Sequence, residues 1–409
     1  MKARLSLIGS LAAATLLTGC ANMNTGNGQR TFDGDVKFLQ KHGSKIVLLG
    51  KPGGPQVAVA PAWQGRVMTS TAGGKDAVGY GWINDELISE GKTKPHIMPW
   101  GGEDRFWMGP EGGQYSIFFK KGDKFDLEHW QTPAVIDTQG YEVVSQSDKA
   151  VSFRHKTSFA NYSDTKFNVQ IDRTVRLLSG DDVSTLLGVQ PGKGVKLVGF
   201  ETENRISNMG PAEWTKAGGL LSVWILGMFK HSPTTTVVVP YEPGPESERG
   251  AAVNDTYFGK VPADRLKVTP TTLFFKADGQ MRTKIGVSPR RAKAYAGSYD
   301  PARNLLTIVN YTLPPGAKDY VNSMWEIQTE PYGGDVVNSY NDGPPSPGAK
   351  PLGPFYELET SSPAAMIKPG ESLVHMHRTF HFEGTAAELD PLARKLLGVG
   401  LDEIANALK

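Results

Sequence analysis

Cysteine is almost missing from this chain: 409 residues contain one, Cys20. A lone cysteine forms no intramolecular disulfide and no multi-thiolate metal site, so stability must come from core burial. Charge of one sign is missing too. Forty-four basic residues face 42 acidic ones, a net charge of +2, and no basic block appears, so nucleic acid is not expected as a partner. Beyond the N-terminus no apolar run is long enough for a membrane-spanning helix. There is no internal repeat, and neither a cofactor nor a resident metal is expected.

The N-terminus carries the first positive signal. Lys2 and Arg4 precede a short apolar stretch, LSLIGSLAAATLL, which ends in LTGC, Leu17 to Cys20. This reads as a signal peptide over residues 1–19, closed by a bacterial lipobox. Lipidation of Cys20 would anchor the protein to a membrane, since two or more acyl chains hold stably where one is marginal. Ala21, rather than Asp, follows the cysteine, a pattern that resembles export to the outer membrane of a Gram-negative envelope. Residues 20–32 are small and polar and read as a flexible tether. Residues 33–409 are expected to form a single domain.

From about Ser44 the texture is β. SKIVLLG, PQVAVAP and GRVMTSTA are short β-branched runs cut by Gly and Pro. KFNVQIDRTVRLL alternates, with Phe167, Val169, Ile171, Val175 and Leu177 on one face. Arg173 interrupts that face and should exit at an edge, pair with a carboxylate or meet a ligand. TTTVVVPY, TTLFFKA, RTKIGVS, LLTIVNYTL, MWEIQTE, FYELET and SLVHMHRTFHF continue the series. Many strands without alternating helices predict an all-β fold of antiparallel sheets. One convincing helix is expected, at the C-terminus. Thr385 and Glu388 form a capping box there, ahead of Leu389, Leu392, Leu396 and Leu397, and LDEIANALK offers a second short stretch.

The candidate chemistry concentrates in WGGEDRFWMGPEGGQ, residues 100–114. Gly101–Gly102 and Gly112–Gly113 permit positive φ and close backbone approach. Trp100 and Trp107 offer flat apolar faces, and Glu103, Asp104 and Arg105 offer charged grips; sugars present C–H faces and hydroxyls that suit both. The same stretch also reads as a compact loop whose aromatics plug the core and whose charges pair with each other. Glu111, His129 and the strand pair Glu357 and Glu359 are the titratable candidates, because acid–base work on a sugar needs two groups across one ring. Asn341 and Asp342 lie on a Gly-flanked loop that is readable as a site or a turn. His375, His377 and His381 share a strand face, expected to look toward solvent or a polar cleft rather than to bind metal.

Several stretches in order resemble galactose mutarotases, the aldose epimerases. VAVAPAWQGRVMTSTA is similar to their opening strand and turn. ENRISNMGPAEWTKAGGLLSVW is similar to their N-x-x-x-N-x-G strand and the cleft-lining strand after it, which here carries Trp224. FYELETSSPAAMIKPGESLVHMHRTFHF is similar to the region of the catalytic glutamate, and WGGEDRFWMGPEGG resembles the hallmark of a lipoprotein branch of that superfamily. The resemblance implies a β-supersandwich with a concave, sugar-sized cleft. It puts the catalytic base at Glu359. The partner histidine should stand on GGLLSVWILGMF, which has none; His231 is the first downstream. Glu111 or His129 would then supply the second group, and Trp100, Glu103, Asp104, Arg105, Trp107, Trp224 and Asp342 the grip. The expected function is carbohydrate binding or processing in the cell envelope. The alternatives are a sugar-binding lipoprotein without catalysis, or a structural envelope protein.

Overall fold

The computed structural model describes residues 29–74, 76–346 and 348–409. The signal peptide, Cys20 and all of the proposed tether before residue 29 lie outside the described residues. Packing begins within the predicted tether. Arg30 bridges Asp35 and Asp85, and Thr31 caps helix α1 (Phe32–Lys41) through Gly34 N. That helix was missed because its apolar positions Phe32, Val36 and Leu39 are few and closely follow polar chain.

Strands dominate the rest. β1 (Val47–Leu49), β2 (Gln56–Ala60) and β3 (Arg66–Thr71) form a small antiparallel sheet. After α2 (Asp85–Glu90) comes β4 (Arg105–Gly109); after α3 (Ala134–Asp137) come β5 (Glu142–Gln146), β6 (Ala150–Ala160) and β7 (Lys166–Leu177). Helix α4 (Gly180–Leu187) leads to β8 (Lys196–Asn208), β9 (Ser222–Lys230) and β10 (Thr236–Pro240). Following α5 (Glu246–Arg249) are β11 (Leu266–Val268), β12 (Thr272–Lys276), β13 (Thr283–Val287), β14 (Tyr295–Asp300) and β15 (Leu305–Tyr311). The last strands are β16 (Val337–Asn341), β17 (Phe355–Ser361) and β18 (Ser372–Glu383), and α6 (Ala386–Leu397) and α7 (Leu401–Asn406) close the chain.

Ten strands form one antiparallel sheet in the order β11-β12-β10-β14-β15-β18-β8-β7-β6-β5, and five form another, β13-β16-β17-β9-β4. The alternation of β7 does what its pattern requires: Phe167, Val169, Ile171 and Val175 enter the core between the sheets, against Phe106, Val223 and Ile225 of the five-stranded sheet. Helix α6 carries the expected capping box, Thr385 with Glu388, and an unexpected helix, α4, carries another, Ser179 with Asp182. MWEIQTE forms no strand; residues 312–336 are a long connection.

Strand β18 corrects the reading of its histidines. Phe380 and Phe382 do not face the second sheet. They pack outward under α6 and α7, against Leu389, Leu392, Leu396 and Leu397. The other face therefore turns inward, and His375, His377 and His381 are fully buried between the sheets rather than facing solvent. Thr360 hydroxyl meets His375 Nε2 and His377 Nδ1, each at 2.9 Å, and His381 Nε2 lies 2.9 Å from Glu103 Oε2.

Candidate functional site

Residues directly opposite in an antiparallel sheet share a face. Register therefore assembles the outer face of the five-stranded sheet. Trp107 opposes Trp224 and Arg105 opposes Leu226; Leu226 opposes Glu359 and Met228 opposes Glu357. Glu359 opposes Asn338, Glu357 opposes Tyr340, and Tyr340 opposes Lys284. One surface thus carries Arg105, Trp107, Trp224, Glu357, Glu359 and Lys284. The regions around residues 105 and 359 meet because β4 and β17 both flank β9.

The polar groups on this face pair with one another. Arg105 and Glu357 form an ion pair. Glu359 Oε2 accepts from Lys284 Nζ at 2.8 Å and from Trp224 Nε1 at 3.0 Å. Lys284 also lies 5.0 Å from the Trp224 ring centre and 5.3 Å from that of Tyr257. Tyr257 donates to Asp335 Oδ2 at 2.6 Å and accepts from Asn338 Nδ2 at 3.1 Å. Glu111 comes in from the loop after β4, with the indole N–H groups of Trp325 and Trp130 turned toward it.

Three carboxyl groups (Glu111, Glu357 and Glu359) thus stand against two cations, Arg105 and Lys284. Like charges in a dry setting cannot all ionise cheaply, so protons are retained. Glu111 keeps some solvent contact, yet crowding by protein and the charge of Glu359 raise its pKa to about 7, against the pull of Lys284. Burial, then Glu359, pushes Glu357 upward in the same way, opposed by Arg105. Burial alone would lower the Lys284 pKa; Glu359, Glu111 and Glu357 outweigh it and hold the ammonium charged.

Several buried polar atoms here have no hydrogen-bond partner among the described residues: Glu359 Oε1, Trp107 Nε1 and Arg105 Nε. Each such group costs about 1–3 kcal/mol when left unmet. A ligand offering hydroxyl groups would satisfy the acceptor and the donors together. Solvent reaches the cluster through Glu111, Lys284 and Trp325, whereas Glu359 is fully buried and Trp107 and Trp224 are 4% and 6% exposed. The open, sugar-sized cleft implied by the resemblance is therefore closed over Glu359. Two surface hollows, about 360 Å³ beside Lys156 and Asn168 and about 400 Å³ beside Leu266 and Lys409, are lined by no residue of the five-stranded sheet.

The structure brings together Glu359, Glu111, Arg105, Trp107 and Trp224 of the expected residues. Asp342 borders the face, but its carboxylate is fixed by Tyr340 hydroxyl at 2.6 Å and Gly353 N at 2.7 Å, so it closes a loop. Four residues are placed elsewhere. Glu103 and Asp104 lie in a bend held by Gly101 (φ 98°) and Gly102 (φ 113°), which turns both acids into the core. Glu103 binds Ser70 and His381, and Asp104 binds Arg173 at 2.6 Å and Thr202 at 2.9 Å, so both are internal ties and not sugar grips. Trp100 stacks on Trp63 at 4.5 Å beneath Arg66. His129 is tied to Asp126 of its own loop at 2.6 Å and does not act on Glu111. Reading the sequence missed Lys284 and Trp325. The alternation Arg282, Lys284, Gly286 in RTKIGVS was the available signal, and it reads as a solvent face. Among the described residues no three His, Cys, Asp or Glu converge as metal ligands, and no helix is long and apolar enough to cross a membrane.

Comparison with curated proteins finds no match. Solved structures with a similar chain path include a putative aldose 1-epimerase of Escherichia coli K12, at 12% identity and a TM-score of 0.48, covering 84% of this chain and 100% of that one. A galactose mutarotase-like protein of Lactobacillus casei ATCC 334 is similar at 10% identity and a TM-score of 0.46, covering 83% and 100%. A putative mutarotase of Salmonella typhimurium is similar at 11% identity and a TM-score of 0.43, covering 83% and 90%. The match that defines kinship is at family level: residues 30–408, nearly the whole described chain, fit one profile, and the protein belongs to the family of unknown function DUF6786.

Proposed function

We propose that the outer face of the five-stranded sheet binds carbohydrate and that Glu359 and Glu111 are its working acid–base pair. One observation carries the reading: a carboxylate oxygen and an indole N–H, both buried and unpartnered among the described residues, sit beside a carboxyl of pKa about 7 on one tryptophan-lined face. A sugar hydroxyl can donate to Glu359 Oε1, and a ring or hydroxyl oxygen can accept from Trp107 Nε1. Glu111, half protonated near neutrality, is suited to give a proton where Glu359 takes one. Proton exchange at an anomeric centre needs no more than these two groups. On the sequence of residues 1–20, the domain is held by lipid on Cys20 in a bacterial envelope, at the outer membrane.

A specific observation favours a second reading. Trp107, Trp130, Trp224 and Glu359 are buried, which suits a closed packing layer in a structural envelope protein. A panel of mono- and oligosaccharides, screened by thermal shift on the chain lacking residues 1–20, separates the two. The sugar reading expects a saccharide that raises Tm and loses its effect in Glu359→Gln and Trp107→Ala. No shift with any saccharide supports the packing layer.

A further inference from the structure

Four indoles surround the acid pair, and they are not equivalent. Trp224 packs edge-on to Trp107 at 5.5 Å, Trp107 meets Phe118 at 5.4 Å, and Phe118 stacks on Trp130 at 6.0 Å. Trp130 in turn stacks on Trp325 at 5.8 Å and 28°. Trp224, Trp107 and Trp130 are buried, while Trp325 is half-buried. The row of rings therefore runs from Glu359, bonded to Trp224, outward to Trp325, the least buried of the four, which also has Phe119 edge-on to it at 5.2 Å. Trp325 also has its N–H turned to Glu111, one member of the acid pair, while keeping some solvent contact.

Its position is fixed by polar ties and not by chance packing. Gln114 and Gln328 exchange two hydrogen bonds of 2.9 Å, and Glu111 N donates to Ser323 hydroxyl at 3.2 Å. Gly112 is required beneath the loop: a Cβ there would stand 2.3 Å from Met324 O. A ring held in place and left half-uncovered costs little to use, because its entropy is already lost.

Resting on the sugar reading above, we propose that Trp325 forms a second sugar subsite, so that the natural ligand is the end of an oligosaccharide and not a free monosaccharide. The terminal unit meets Glu359 Oε1 and Trp107 Nε1, which requires the side chains closed over Glu359 to part. The next unit stacks one face on Trp325 and presents its other face to solvent, as a unit that continues into a longer chain must. A lone monosaccharide would leave the Trp325 face unused.

The test compares each monosaccharide with its dimers by calorimetric titration of the chain lacking residues 1–20: glucose with maltose and cellobiose, galactose with lactose, N-acetylglucosamine with its β-1,4 dimer. The quantity read is the affinity ratio within a pair. Stacking on one indole should favour the dimer by about five- to ten-fold. Trp325→Phe should keep most of the ratio; Trp325→Ala and Trp325→Leu should bring it to about one, with thermal melts verifying that each variant is folded. A ratio near one in the unaltered protein for every sugar that binds overturns the second subsite and leaves the sugar reading standing. A ratio untouched by Trp325→Ala and Trp325→Leu also overturns it, placing the second unit elsewhere. Absence of binding by any saccharide overturns both.

Discussion

Lys284 Nζ and Trp224 Nε1 donate to the same oxygen of Glu359, Oε2, at 2.8 and 3.0 Å, and this leaves the buried Oε1 without a partner among the described residues. The carboxylate is thereby aimed: one oxygen is held by β13 and β9, the other is free to accept from something that is not protein. Among the described residues Lys284 is the one cation bonded to Glu359, and its own charge is held by that carboxylate.

Removing one partner of this pair should be costly. Lys284→Met leaves a buried carboxylate without its cation, and denaturant unfolding should show a loss of about 3 kcal/mol. Adding Glu359→Gln should recover part of that loss, because the orphaned charge goes with it. Strict additivity of the two variants would contradict a direct pairing.

Glu111 sets a pH dependence of known sign. Its pKa rises from 4.5 to about 7 on folding, so the native state binds more protons than the unfolded chain between those values. Stability from this group is fully present below pH 4.5 and is lost as pH rises through 7. Unfolding free energies of the unaltered protein and of Glu111→Gln should therefore diverge across that window, with the unaltered protein falling. If Glu111 is also the proton donor, turnover of any substrate should decline above pH 7 on one ionisation. Parallel stability curves for the two proteins would remove Glu111 from the account.

The buried histidines work in the opposite direction. Burial lowers the pKa of His375 to about 3 and of His377 to about 4, from an ordinary 6.5. The unfolded chain protonates first, so their contribution is present above pH 6.5 and disappears as pH falls toward 4 and 3. His375→Gln should flatten the acid side of the stability profile between pH 6.5 and 4. An unchanged acid limb would mean that other groups govern it.

Asp104 and Arg173, both completely buried, should behave as structure and not as site. Asp104→Asn strands the Arg173 guanidinium between the sheets, and a loss of about 3–5 kcal/mol is expected. The folded fraction should still bind any saccharide ligand with unchanged affinity, as measured by titration. A stable Asp104→Asn protein that had lost binding would restore Asp104 to the site.

Much of this was readable from the chain. Strand β7 follows its alternation, α6 its capping box, and Arg173 found the carboxylate its buried position demanded. The regions near residues 105 and 359, expected to share one open cleft, do meet, but the cleft is closed over Glu359. What escaped has a common cause. A period of two states that a strand has two faces, not which element covers each. The apolar side of β18 faces α6 and α7, so its histidines face the core. The polar side of β13 faces a cluster of carboxyl groups, so Lys284 is part of the site. Likewise Glu103 and Asp104 look like ligand grips until two positive-φ glycines turn them inward.

The most direct measurement is to follow the indole N–H signals in an NMR titration with a saccharide from the panel. Trp107 carries an unpartnered donor and the Trp130 N–H faces Glu111, so their signals should move on binding while that of Trp63, stacked on Trp100 outside the five-stranded sheet, stays still. Movement confined to Trp63 and Trp100, or saccharide addition that moves no indole signal, would contradict the assignment of this face as a sugar site.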